Sequence, residues 1–232
     1  MAELQTVSGY GQGGVSSIER NKVLRNTYTL LAMSLIPTIA GAWLAMALGL
    51  DKTMLKSPGL TLILFLVGAF GLMFAIERNK NSGLGVALLL VFTFFMGIML
   101  SRMLGVVLGM KNGAALIMYS LGGTAAIFAS MAALGTMIKK DLSSMGKFLM
   151  VGALVVFFGG LLSFFFPMPA LQMALLFMCL GIFSLYMMYD INRIVQGGET
   201  NYVSATLGLY LDIYNVFQSL LAILGIFGGD RD

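Results

Sequence analysis

The chain has 232 residues, 59% of them hydrophobic and 10% charged, with a net charge of +4, no histidine and one cysteine; its mean hydropathy is +0.92. A soluble domain carries about 25% charged residues, so a shortfall spread over the whole chain excludes that class and indicates an all-α, polytopic membrane protein. The missing histidines exclude His-containing zinc sites and His general bases, the lone Cys179 excludes an internal disulfide, and no polar stretch is long enough to house an enzyme acting on aqueous substrates.

Residues 1–24, from "MAELQTVSGYGQGG" onward, are polar and Gly/Ser-rich and read as a flexible tail. They lack the charged-then-apolar order of a signal peptide. Seven apolar runs follow, at about 25–49, 58–77, 83–104, 113–138, 147–166, 169–191 and 202–227. Each is long enough for a hydrocarbon core of ~30 Å, and none shows barrel-like alternation. They define a seven-helix transmembrane domain over 25–228, with 229–232 as a short C-terminal tail. The breaks between them, such as "DKTMLKSPG", "ERNKNSG" and "NRIVQGGETN", read as links. "FPMPA" makes the fifth and sixth helices a tight hairpin.

Basic residues set the expected orientation. With the amino terminus inside, Arg20, Lys22, Arg25, Arg78, Lys80, Lys139, Lys140, Lys147 and Arg193 are cytoplasmic, and Lys52, Lys56, Arg102, Lys111 and Arg231 lie outside. That bias favours a cytoplasmic amino terminus and a carboxyl terminus on the periplasmic or outer side; in a bacterium the location is the inner membrane. The positive charge thus reflects topology rather than nucleic acid, and the partner that composition alone implies is the lipid bilayer.

Of the ten acids, eight fall in tails, links or helix ends. Asp141 in "KKDLS" reads as a solvated cap. The other two, Asp190 and Asp212, lie in the last two spans, where an ionisable group costs roughly 2.5–3.5 kcal/mol and is a functional candidate by default. Counting from the "GGET" reversal at 1.5 Å per residue, their depths differ by about 8 Å, close enough for tilt or local unwinding to bring them together.

The last span also carries a polar face. Ala205, Gly208, Asp212, Asn215, Ser219 and Ala222 recur at steps of three or four, and Tyr210, Tyr214 and Gln218 form a second line beside them. Such a helix belongs at the centre of the bundle. Two readings stay open for each acid. Asp190 could pair with Arg193 one turn on, and Asp212 could hydrogen-bond between helices to specify packing. As a coupled pair they cannot both ionise cheaply; they would share a proton and act as a pH-sensing latch. Doubly ionised, they offer a weak calcium site with too few ligands to be closed.

Several stretches carry a resemblance. "GGETNYVSATLGLYLDIYNVFQSLLAILG" resembles the final helix of the Bax inhibitor-1 family, in its bacterial YccA branch; "NKVLRNTYTLLAMSL", "LGGTAAIF", "KKDLS" and "SLYMMYDINRI" match the family in the same order. The resemblance implies seven transmembrane helices with the last enclosed by the other six. It implies that Asp190 and Asp212 are the family's aspartate pair, associated in some relatives with pH-sensitive calcium leak. It also implies a membrane-anchored FtsH-type protease as a partner, engaged through the amino-terminal tail. Some calcium-leak relatives have an arginine latch at the inner end of the second helix; here "AIERNK" puts Glu77 at that place and Arg78 beside it, leaving Arg78 and Arg193 as candidate latches.

Three functions follow as expectations. The first is a regulatory protein restraining an FtsH-type protease, the second a pH-dependent calcium or cation leak channel, and the third a small-solute secondary transporter. The third ranks last because the sequence shows no internal repeat. No cofactor is expected, with calcium the one candidate ion.

Overall fold

In a computed structural model the described residues, 17–229, form eight helices and no strand. They are α1 (Ser17–Ala47), α2 (Leu50–Lys56), α3 (Pro58–Asn79), α4 (Gly83–Leu108), α5 (Gly113–Met137), α6 (Ser143–Phe165), α7 (Pro169–Val195) and α8 (Tyr202–Gly228). All but α2 are long and apolar enough to cross a membrane. Residues 1–16 and 230–232, which hold most of the expected amino-terminal tail and nearly all of the C-terminal one, lie outside the described residues.

Helix starts at Pro58, Gly83, Gly113, Pro169 and Tyr202 coincide with the punctuation in the sequence. Pro58 and Pro169 occupy first-turn positions, where a missing N–H costs nothing. Several boundaries differ from expectation, among them the ends of α4 at Leu108 and α7 at Val195, each four residues late. Helix α1 begins at Ser17, eight residues early, and its Arg20 Nη1 donates to the Val195 carbonyl oxygen (3.1 Å) at the end of α7. Helix α6 begins at Ser143, where the Asp141 carboxylate accepts from the Ser143 backbone N–H and hydroxyl. Those bonds hold the exposed Asp141 carboxyl below its usual value. The link after α1 contains α2, whose Asp51 and Met54 are buried against α4.

The chain reverses at each link, so one end of the bundle gathers residues 17–20, 79–83, 138–143 and 192–202. There Asn201 reaches Lys80 and Asn81, and Gln196 reaches Lys139. We call it the Ser17 end and the opposite one the Gly228 end. Small residues set the close approaches. A Cβ on Gly41 would land on the Phe94 carbonyl oxygen, and one on Gly97 on that of Thr38, so α1 and α4 cross almost backbone to backbone. Gly146, Gly152 and Gly159 of α6 lie beneath Tyr189, Ile182 and Leu175 of α7, the register of an antiparallel hairpin.

Helix α8 is the hub. It packs against α1, α3, α4, α5 and α7, while α6 stands behind α7. Half of its membrane window is buried, against about a tenth for α3 and α6. Leu207 and Leu221 on its leucine side are as buried as Asp212 and Ser219 on its polar side, so the helix is largely enclosed, while Leu211, Asn215 and Gln218 are half-buried.

Replacing Gly97 with alanine is expected to push α1 from α4 and cost about 1–3 kcal/mol. Gly71→Ala, where an added Cβ meets nothing, is expected to be neutral or slightly stabilising. Thermal melting of both variants in one detergent checks the contrast.

Candidate functional site

The site is built on the last turn of α7 and the first three turns of α8. Helix α7 ends in a Schellman turn: Gly197 takes φ +80°, its N–H donates to Ile194 O (3.0 Å) and that of Gly198 to Arg193 O (2.8 Å). This turn swings Glu199 back, so that one carboxylate oxygen accepts from Arg193 Nη2 (3.3 Å) and the other from the N–H groups of Thr200 and Asn201. Asn201 then caps α8, accepting from Val203 N (2.9 Å) and Ser204 N (3.1 Å), while its amide donates to Lys80 O and Asn81 Oδ1. One side chain thereby ties the start of α8 to the α3–α4 turn.

Between these elements lies a cleft of about 270 Å³, whose charged lining is Glu77, Lys80, Asp190, Arg193 and Glu199. Lys80 pairs with Glu77 at 2.9 Å, which raises its amine above the ordinary lysine value. With Glu199 taken by Arg193, Asp190 is the cleft carboxylate without an ion pair among the described residues. It rests on Gly208, where an added Cβ would come within 2.6 Å of Asp190 Oδ2.

Asp212 lies one turn deeper on α8, about 6 Å along the axis from Gly208. It is 4% exposed, and its Oδ2 has no hydrogen-bond partner. No hydrogen bond joins the two aspartates, so the directly shared proton expected from the sequence is not formed in this arrangement. They nonetheless lie on facing helices, Asp190 against Gly208 and Asp212 one turn further along α8.

The two polar lines of α8 face different neighbours. Tyr210 exchanges a hydrogen bond with Thr38 Oγ1 of α1 (2.9 Å) and reaches Thr93 O (3.5 Å). Tyr214 donates to Met96 O (3.2 Å) and accepts from Gln218 Nε2 (3.2 Å). This line anchors α8 to α1 and α4. On the other line, Asn215 donates to its own helix at Leu211 O (2.8 Å), and Ser219 is buried.

The candidate latches are placed otherwise than expected. Arg78 is exposed and does not line the cleft. Arg193 is held by Glu199 and Gly198 O rather than by Asp190, because the Schellman turn delivers a competing carboxylate. Among the described residues no three or more metal-ligating side chains gather, so a calcium ion at the pair would have to draw most of its ligands from water.

Sequence reasoning passed over Asn192, which is fully buried. It donates to Gly135 O (3.3 Å) and Ile138 O (2.8 Å), accepts from Leu142 N (3.3 Å) and so fixes the α5–α6 turn to α7. A polar residue one turn from the end of a span gives no sign of which turn it will bind.

Fold and site together define a polytopic helical membrane protein built around a buried, acid-bearing terminal helix. Residues 20–229 match the family described as "Inhibitor of apoptosis-promoting Bax1". The chain is 39% identical to the "Modulator of FtsH protease YccA" of Escherichia coli K12, over 93% of this chain and 94% of that protein. The same identity and coverage hold for the "Inner membrane protein YccA" of E. coli O6:H1. A membrane protein of Vibrio cholerae is 37% identical over 92% of this chain and 93% of its own length. The chain therefore belongs to the Bax inhibitor-1 family.

Asn201→Ala removes the α8 cap and the tie to the α3–α4 turn together. It is expected to cost about 1–2 kcal/mol. Amide exchange should rise at residues 195–204 and stay unchanged at the turn that Asn192 holds; a uniform rise would refute a local role.

Proposed function

We propose that the protein is an inner-membrane regulator that restrains an FtsH-type membrane protease, with its amino terminus in the cytoplasm and its aspartate cleft setting the conformation that the protease reads. The carrying observation is similarity over nearly the whole chain to a protein named as a modulator of that protease. The geometry adds a route. Arg20, at the root of the tail, is bonded to the last turn of α7, which carries Asp190 five residues before Val195. A change in the charge of the cleft that shifts this turn moves the root of the tail with it. The charge bias puts this end, and the tail, on the cytoplasmic side.

Removing residues 1–16 leaves Arg20 and every described helix in place. The variant is expected to insert and melt like the full chain, yet to lose co-purification with the protease and restraint of its proteolysis. Unchanged restraint would refute the role of the tail.

A second reading, a pH-dependent cation leak, is favoured by one observation: the polar cleft ends at Asp190 with the unpartnered Asp212 oxygen one turn deeper. On this reading, vesicles loaded with a calcium dye fill at a pH-dependent rate, and Asp212→Asn abolishes both the flux and its pH dependence. If the wild type and Asp212→Asn fill alike, the pair has a conformational role only.

A further inference from the structure

A second cavity, of about 450 Å³, meets α8 on the other side of Asp212, in the half of the bundle nearer Gly228. It exists because α4 and α7, both flanking α8, do not pack against each other; α2 covers the gap from above through Leu55. Its floor is the polar line of the central helix, Asn215, Gln218 and Ser219, seen through the slot. Its walls are Met103, Val106 and Leu176, and the one charged residue in its lining is Arg102.

Three features identify what fills it. Polar groups at membrane depth that face a gap cannot be left to hydrocarbon, so the occupant brings hydrogen-bonding groups to the floor. Arg102 has no ion pair or hydrogen bond among the described residues, and Lys52 and Lys56 are exposed on the neighbouring α2, so the occupant is anionic. An acid does lie nearby, Asp51, but its carboxylate is buried against Gly105, one turn further along α4, and does not pair with Arg102. The walls are thioether and aliphatic, and the helices that make them turn apolar side chains such as Val106 and Phe177 outward. The occupant is therefore an amphiphile entering from the bilayer rather than a small ion from water.

We propose that this slot binds an anionic phospholipid with a polyol headgroup, of the phosphatidylglycerol type. Its phosphate sits on the Arg102 guanidinium, whose planar fork suits a phosphodiester. Its headgroup hydroxyls meet Asn215, Gln218 and Ser219, and its acyl chains leave between α4 and α7. The volume falls within the range of ordinary ligand pockets, and Arg102 lies within two turns of the end of α4, at the depth of a lipid phosphate. The bound lipid completes the cover of α8 that the protein leaves open on this side.

The full chain, purified in a non-ionic detergent, is tested by native mass spectrometry with phosphatidylglycerol or phosphatidylcholine at equal concentration. Phosphatidylglycerol is expected to be retained several-fold more. Arg102→Gln should erase that preference, Ala222→Phe, which fills the floor, should lower retention of the lipid itself, and Lys147→Gln at the opposite end should change neither. Cys179 also lines the slot, and as the sole cysteine it reports occupancy without further engineering. Its maleimide labelling should be slower in phosphatidylglycerol nanodiscs than in phosphatidylcholine ones, with the protection lost in Arg102→Gln. If Arg102→Gln does not fold, Ala222→Phe and the labelling comparison decide. Equal retention of the two lipids, or a preference that survives in the variants that fold, overturns the proposal. Displacement of the lipid by glycerol 3-phosphate or inorganic phosphate overturns it too, in favour of a soluble anion.

Discussion

A helix that carries an aspartate, an asparagine, a glutamine and three tyrosines cannot be left against lipid, and the rest of the bundle is arranged to satisfy it. In hydrocarbon no water completes an unpaired group, so each polar atom on α8 must find its partner inside the protein. The tyrosine line does so through main-chain carbonyls of α4 and the Thr38 hydroxyl of α1. These bonds fix α8 in rotation and in depth, because a slip of one residue would carry Tyr210 and Tyr214 away from both neighbours. Two buried atoms of α8 lack a partner, Ser204 Oγ near its start and Asp212 Oδ2 in its middle. An unsatisfied carboxylate oxygen on a 4% exposed residue of the central helix marks a position where the structure gives up stability for something else.

The bundle is held together by close approach rather than by hydrophobic burial, which drives little association between helices already in lipid. The α1–α4 crossing relies on Gly41 and Gly97, the α6–α7 hairpin on three glycines in register, and the seat of Asp190 on Gly208. These contacts differ in what they constrain. The first two bring helix against helix with no carboxylate between them and form the scaffold. At Gly208 a carboxylate fills the space a side chain would have taken, so Asp190 itself sets the spacing of α7 and α8 there.

The sequence made the hub, the two acids and five helix starts legible, and the reasons are local. Proline and glycine at the first helical position signal a start whatever surrounds them, and a polar stripe at helical spacing signals a buried helix. The features that were not legible depend on residues far apart in the chain. Helix α2 is seven residues long and owes its place to packing of Asp51 and Met54 on α4. Arg193 had two acids to choose from, and the choice fell to Glu199 only because Gly197 adopts a left-handed conformation and turns the chain back. The early start of α1 is tied to a contact between Arg20 and Val195, 175 residues away. Asp190 sits against Gly208, one turn from Asp212 on α8, which is about 6 Å along the axis and close to the offset the residue count gives.

Two openings reach α8 on either side of Asp212, and their charges are opposite in character. At the Ser17 end the lining holds three carboxylates and two cations, with Asp190 unpaired. On the other side the lining holds no acid, and its one charge is Arg102. A cation that passed Asp212 would emerge facing a guanidinium, an electrostatic barrier of the kind channels use to exclude cations. The same pattern suits a protein that reads protons at one end and holds a lipid at the other, with α8 fixed between them. Asp190 rests on Gly208, and the last turn of α7 is bonded to Arg20 at the root of the amino-terminal tail, so in the proposed regulator a proton taken up at Asp190 would act on that turn. The mechanical path therefore runs from the cleft outward to the end of the bundle where a partner can be met, rather than through the membrane, and this weighs for the aspartate pair as a conformational device before it weighs for a pore.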